Sequence, residues 1–568
     1  MTDKPKKKSK NKIVALLVVI CLLFAALAVC AVLYIKDVRE TNQIMNNTLV
    51  LEGVSVNGVD ISNMTEEQAM EATSDIPSKL LEEIKITVDV DGEIFSFDAD
   101  DFGIVTDYEE VMRQAVEYGH SDSIEERKQA IATAKSGGAE FTVSIYTDRE
   151  KVASVIMPLK ETLDIQPVDA SFTFSPWGFL ADGTPFEQDK QTVIEACARG
   201  REWERPELIR IPEEEMPNRL RYQFWENDHY EKDYIPKDAN IARFLYTEGV
   251  TGRSVDMEAV VDSIMSSIQK GDYSPIKAPV EVLEPAVKVE DLKAKTQLIS
   301  SWTSSYSNHE GFNRNWNVAK LSGIINGVIL EPGIEWSINE EAGPRREGMG
   351  WKEAAGIIDG GYVQEFGGGV CQISSTLYNA AIRSALEITD STHHSIRSDY
   401  IPYGLDATIS TGGPDLKLKN PYDTPVYIVS YVNPKHQNVT VEMYGPPVVD
   451  PELGEVILNF SFEDGGHFGA PVMIYIYNTA VAPDKTPINP GDSYEYAKAR
   501  QGSRVKTYIH YLSLDGTELK KKSFHNYEWK PINGKTYVNG PDPALGMPYP
   551  TYPWEDPFEP EPDPIIVP

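Results

Sequence analysis

The longest uninterrupted apolar stretch of the chain lies near its start. Ile13 to Ile35 carries no charge and is long enough to cross about 30 Å of hydrocarbon as a helix. Ahead of it stand Lys4, Lys6, Lys7, Lys8, Lys10 and Lys12, opposed only by Asp3. Basic residues stay on the cytoplasmic side, so residues 1–12 are expected as a cytoplasmic tail, 13–35 as a transmembrane helix, and the remainder outside the cell. The run is long for the apolar region of a cleaved signal peptide, and no small-x-small cleavage site follows it closely. A single-pass, type II anchor is the expectation.

Beyond a short polar stem the pattern shortens and alternates. Val54-Ser55-Val56-Asn57-Gly58-Val59-Asp60-Ile61 reads as two strands about an Asn-Gly hairpin turn. Thr65 then opens a helix, with Gln68 placed to complete a capping box. Ile84 to Val90 and Glu93 to Phe97 form a second hairpin turning at Asp91-Gly92, and a helix follows from about Tyr108 to Glu117. A related pattern runs from Val168 to about Glu284, with a strand at 169–174 and an amphipathic helix ending near Gln269. These periodicities predict two α+β modules in tandem, 50–165 and 166–290, the second carrying a charged, aromatic-rich insertion at 185–240. Residues 297–432 read as a mixed α+β central domain and 433–540 as a small all-β module. From 541 to 568 the chain is rich in proline and acid, a composition for extended chain that buries no core. The fold class expected is α+β multidomain.

Charge and cysteine count narrow the function. The net charge is −34, and because the tail contributes about +5 the exported part carries roughly −39. Such a surface repels nucleic acid and anionic lipid. Of four cysteines, Cys21 and Cys30 lie in the apolar segment, leaving Cys197 and Cys371 outside as one disulfide or two separate thiols.

One stretch carries candidate chemistry. In Gly367-Gly368-Gly369-Val370-Cys371-Gln372-Ile373-Ser374-Ser375-Thr376-Leu377-Tyr378-Asn379 a cysteine follows a glycine run at the start of a helix, with His393-His394 further on. A thiol at a helix N-terminus faces unpaired N–H groups and the positive end of the dipole, which favours thiolate. With an imidazole it has the parts of thiol-based acyl transfer; as a lone residue it is equally a small buried hydrophobe. The serines lack Ser-x-x-Lys and Gly-x-Ser-x-Gly contexts, and adjacent histidines without further ligand spacing do not make a metal site. No cofactor is expected.

The succession from Ile325-Asn326-Gly327 through Glu331-Pro332-Gly333, Gly343-Pro344-Arg345, Gly360-Gly361, the glycine-cysteine run, His394-Ser395 and Tyr400-Ile401-Pro402-Tyr403-Gly404-Leu405-Asp406-Ala407-Thr408 resembles the VanW family. The modules before it resemble the peptidoglycan-binding domain that accompanies VanW in anchored wall proteins, and the closing β module is similar to wall-adhesion repeats. The resemblance implies a Gram-positive cell-wall protein whose partners are glycan strands and stem peptides. For some members it implies L,D-transpeptidase activity carried by the family cysteine, here Cys371. The family histidine before serine is His394; Thr392 stands where a second histidine is frequent, and His393 is additional. Asp406 would hold the imidazole tautomer, and N–H groups from Gly369 to Gln372 would receive an oxyanion. Arg345, Gly368, Gly369, Gln372 and His393 are the expected substrate contacts. A cysteine peptidase on stem peptides, or a non-enzymatic wall-binding protein with Cys371 buried, are the alternatives.

Overall fold

The computed structural model describes residues 10–212, 216, 238–306, 311–358, 361–435, 437–540, 542 and 544. Most of the basic tail and of the proline-rich end, and 213–215 and 217–237 of the 185–240 insertion, therefore lie outside the described residues. The chain is mixed helix and strand in two compact units. One comprises Met1–Val168 with Val250–Pro285, the other Asp169–Gly249 with Ala286–Pro568.

The first unit begins with a helix, Lys10–Met45, whose span Val14–Met45 is long and apolar enough to cross a membrane. Arg127 Nη1 donates to the Ile44 and Met45 carbonyls, both at 3.0 Å, satisfying acceptors that a helix end leaves open. The two hairpins form at the expected turns, Val54–Val56 with Val59–Asp60 and Ile86–Val90 with Glu93–Phe97. Both central residues of each turn have positive φ, as a type I′ turn requires. Thr65 and Gln68 make the capping box, and a helix occupies Tyr108–Glu117.

The second expected module does not form as one piece. Helix Met257–Lys270 buries Val260, Val261, Ile264 and Ile268 against Ile84, Ile86 and Val88 of the early hairpin, so 250–285 completes the first unit. Segment 169–249 goes to the second unit. There strand Ser171–Phe174 pairs with Phe244–Thr247, and Phe172, Phe174 and Phe244 pack on Tyr427. Aromatic burial, rather than proximity in sequence, decides the partition.

In the second unit a four-stranded antiparallel sheet runs in the order Gln297–Ser305, Asn438–Gly445, Val426–Asn433, Ile329–Leu330. The hairpin Val426–Gly445 crosses the boundary expected at 432/433, so the first strand of the supposed β module belongs to the central sheet. Beyond it, Ile457–Phe468, Gly502–Leu512 and Glu518–Trp529 make one three-stranded sheet, and Met473–Ile476, Gly534–Val538 and Ser493–Ala497 another.

Two helices, Phe312–Ile325 and Val370–Arg383, pack into the central domain's core. Every residue of Val370–Arg383 is buried except Cys371. Its polar side chains are met by name: Thr376 bonds Ser304 at 2.7 Å, Gln372 donates to the Ser305 carbonyl at 2.8 Å, and Arg383 lies 3.9 Å above the Trp302 ring.

Elsewhere in the same sheet Glu442 is fully buried, accepting from Tyr431 at 2.8 Å and Tyr444 at 3.0 Å, with Arg243 Nε at 3.8 Å. Removing one member of a buried pair leaves the other charge uncompensated, at a cost of about 3–5 kcal/mol. Glu442→Leu is therefore expected to lower unfolding free energy by about that amount in urea titration; a loss below about 1 kcal/mol would show that the pair adds nothing net.

Candidate functional site

Cys371 sits in the first turn of its helix, after an N-cap, Gly369, at φ 100°. A side chain there would be strained and would place a Cβ 2.6 Å from Arg314 Cγ. Gly368 runs against the strand hairpin, where a Cβ would lie 2.4 Å from the Ala354 carbonyl oxygen. Asn317, buried on helix Phe312–Ile325, donates from Nδ2 to the carbonyls of Lys352 and Gly368 at 2.9 and 3.0 Å and pins the turn. The N–H groups of Gly367, Gly368, Val370 and Gln372 already donate to main-chain carbonyls. Among the described residues, those of Gly369 and Cys371 have no main-chain acceptor.

The other half of the site comes from an irregular segment, residues 391–409. The cysteine helix holds it by three side chains: Ser374 and Ser375 donate to the Ala407 carbonyl, and Asn379 Nδ2 donates to that of Leu405 at 2.7 Å. The Ser-Ser-Thr cluster is thus structural, and it sets the distance between Cys371 and the segment that bears Asp406.

That carboxylate is a junction. Asp406 Oδ2 accepts from the main-chain N–H of His394 at 2.8 Å and lies 2.6 Å from its Nδ1; Oδ1 lies 2.9 Å from His393 Nδ1. Nδ1 of His394 being engaged, Nε2 is left for the thiol. The sulfur lies 3.3 Å from Thr408 Oγ1 and accepts the Ile409 N–H at 3.5 Å.

Electrostatics follow the geometry. Burial pushes the Cys371 thiol up, but the hydrogen bond and charge of His394, with help from Thr408 and the Ile409 N–H, outweigh it and leave the thiol below its ordinary value. Burial alone would lower His394; bonds to Asp406 and Cys371 raise it to about 10. Burial likewise opposes ionisation of Asp406, and bonds from His393 and His394 overcome it, holding the carboxyl well below the usual range. Burial raises Tyr400, and the neighbouring Cys371 charge raises it further.

The expected residues separate into groups. Cys371, His394 and Asp406 stand together. Arg345 is close enough to Cys371 for their charges to interact. It is 92% buried (8% exposed), donates from Nη2 to Asn339 at 2.5 Å, and has an Nη1 without a partner among the described residues. Gly368 and Gly369 shape the turn. His393 shares the carboxylate but turns its ring toward Tyr527, with centroids 3.5 Å apart. Gln372 is corrected: it is 1% exposed and bonds Ser304 and Ser305 of the central sheet, so it anchors the helix and faces no substrate. Cys197 is a fully buried free thiol, pushed up to about 12 by burial, and Cys371 is also free. Thr408 and Tyr400 escaped the sequence reading although both lie in the blocks that carried the resemblance.

A thiol paired with an imidazole and a buried carboxylate, on a helix seated in an α+β domain, defines the class of a cysteine site. Residues 313–444 match the family model described as VanW like protein, and 95–178 the model described as "Putative peptidoglycan binding domain". The chain therefore carries a segment similar to the VanW family and, before it, one similar to a peptidoglycan-binding domain. The uncharacterized protein YoaR of Bacillus subtilis is 32% identical over 181 residues, 32% of this chain and 59% of that protein. The vancomycin B-type resistance protein VanW of Enterococcus faecalis is 28% identical over 130 residues, 21% of this chain and 47% of that protein. The chain thus spans about half the length of each. Among solved structures, that of HP0197-G5 aligns over 15% of this chain and 99% of its own, at 13% identity and a TM-score of 0.09, too slight to define a fold.

The site should show its charge state directly. Alkylation of Cys371 against pH is expected to have a midpoint below about 8.5, and His394→Ala should raise it; a wild-type midpoint at or above 8.5 would contradict the pairing. His394, raised above its ordinary 6.5 to about 10, contributes stability that is complete below about pH 6.5 and is lost as pH rises through 10.

Proposed function

We propose that this is a membrane-anchored cell-wall acyltransferase, a cysteine-dependent L,D-transpeptidase, with its N-terminus cytoplasmic and its domains facing the wall. The observation that carries the proposal is the convergence of Cys371, His394 and Asp406 at the one partly open position of an otherwise buried helix. The family resemblance supports the substrate class.

In this reading the Cys371 thiolate attacks the carbonyl joining the third residue of a stem peptide to its terminal D-Ala. The Gly369 and Cys371 N–H groups receive the oxyanion. The His394 imidazolium protonates the departing D-Ala amine, leaving a thioester on Cys371 and a neutral imidazole. The side-chain amine of a neighbouring diamino acid then attacks, His394 takes its proton, and Cys371 leaves as thiolate, forming the 3→3 cross-link and restoring the thiolate–imidazolium pair. The Nη1 of Arg345, without a partner among the described residues and on a buried cation whose charge interacts with that of Cys371, suits the carboxylate of the D-Ala leaving group. Water as acceptor would make the same site a carboxypeptidase.

The test is incubation with tetrapeptide muropeptides, read by mass. Wild type is expected to form a Cys371 adduct and dimeric muropeptides, and Cys371→Ala neither. Shortened monomers without dimers would assign hydrolysis. Folded wild type giving neither adduct nor product would support a wall-binding protein whose thiol, bonded by Thr408 and Ile409, is structural.

A further inference from the structure

The segment that bears both histidines and Asp406 has no regular secondary structure of its own. The cysteine helix supports one side of it, through Ser374, Ser375 and Asn379. Its other side is closed from far along the chain. Trp529 Nε1 donates to the His394 carbonyl at 3.0 Å, and the indole is buried, at 8% exposure. Two residues earlier on the same strand, Tyr527 lies against the His393 ring; burial and the nearby Asp406 charge push its phenol up to about 12.

Two positions before Asp406, the chain approaches these strands so closely that only glycine fits. A Cβ on Gly404 would lie 2.9 Å from Val505 Cγ1, 3.0 Å from Thr507 Cγ2 and 3.2 Å from Tyr527 Cδ2. Tyr403 meets Phe462 edge-on at 5.1 Å between centroids, extending the contact to the third strand of the sheet. His394 therefore has its side chain fixed by Asp406 and its main chain fixed by Trp529.

We propose that the sheet of Ile457–Phe468, Gly502–Leu512 and Glu518–Trp529 is a working part of the cysteine site, and that Trp529 is a positioning residue for His394. Among the described residues, the hydrogen bonds of the sulfur run to Thr408 and Ile409 and none to this sheet. The sheet acts by keeping the imidazole where it can share a proton with the thiol, and losing that hold returns Cys371 toward an ordinary cysteine. The inference rests on Cys371 being an activated nucleophile. Its test reads the thiol alone, without substrate, so the two can fail separately.

Trp529→Phe keeps the aromatic bulk and deletes the N–H donor. In the full-length protein, iodoacetamide labelling of Cys371 would be followed by peptide mapping from pH 5 to 10. The fully buried Cys197, in the same core, serves as the internal reporter of folding. The expected result is a Cys371 midpoint raised by about one pH unit, with about tenfold slower labelling below the wild-type midpoint, while Cys197 stays protected. A low wild-type midpoint left unmoved by Trp529→Phe would overturn the proposal and leave the catalytic reading standing. An ordinary midpoint in wild type itself would overturn both. Should Cys197 become labelled in Trp529→Phe, Tyr527→Leu decides by the same criteria, since it loosens the same support without touching the indole bond.

Discussion

A helix enclosed on all sides must find a partner for every polar group it carries, and Val370–Arg383 carries many. Unmet, each buried hydroxyl or amide costs about 1–3 kcal/mol. The central domain is arranged around meeting them. Ser300 and Ser304 on the first strand of the sheet reach the helix from one side, and the Ala407 and Leu405 carbonyls come to it from another. Because the hydroxyls at 374 and 375 grip the 405–407 segment, the same bonds that satisfy the helix also set the position of Asp406. Packing and site geometry are one arrangement here.

Asp406 then propagates that arrangement to two imidazoles. A buried carboxylate is stable as an anion only when donors surround it, and three N–H groups do so. The pairing that follows is directional. One imidazole faces the thiol and the other faces away, toward a tyrosine. A doubled histidine in sequence thus resolves into two unlike environments, and the ambiguity over which histidine adjoins the sulfur ends with geometry.

Local patterns were readable in the sequence because local physics decides them. The Asn57-Gly58 and Asp91-Gly92 turns, the Thr65 cap and the helix at 108–117 depend on neighbours within a few residues. The glycine run, Cys371, His394 and Asp406 were legible through motif order. What escaped was settled at long range. Gln372 has the same local context as a substrate contact, and only the position of Ser304 and Ser305 shows that it points inward. The split of 166–290 between two units turns on whether Phe172 and Phe244 find Tyr427. Trp529, over 130 positions from the histidine it holds, had no local signal at all.

The interleaving of the two units has a consequence for how the chain is made. The first unit cannot close until helix Met257–Lys270 and strand Ile276–Lys277 have been synthesised, so its early hairpins wait for their lid. Meanwhile Phe172, Phe174, Phe244 and Tyr246 have already emerged, and the tyrosines they pack against, Tyr427 and Tyr444, lie about 180 to 270 residues downstream. At about 5–20 residues per second, that aromatic surface stays uncovered for on the order of ten to fifty seconds. Nascent chains of this protein pass through a window in which an aromatic surface waits for its cover, a natural point for a chaperone to act.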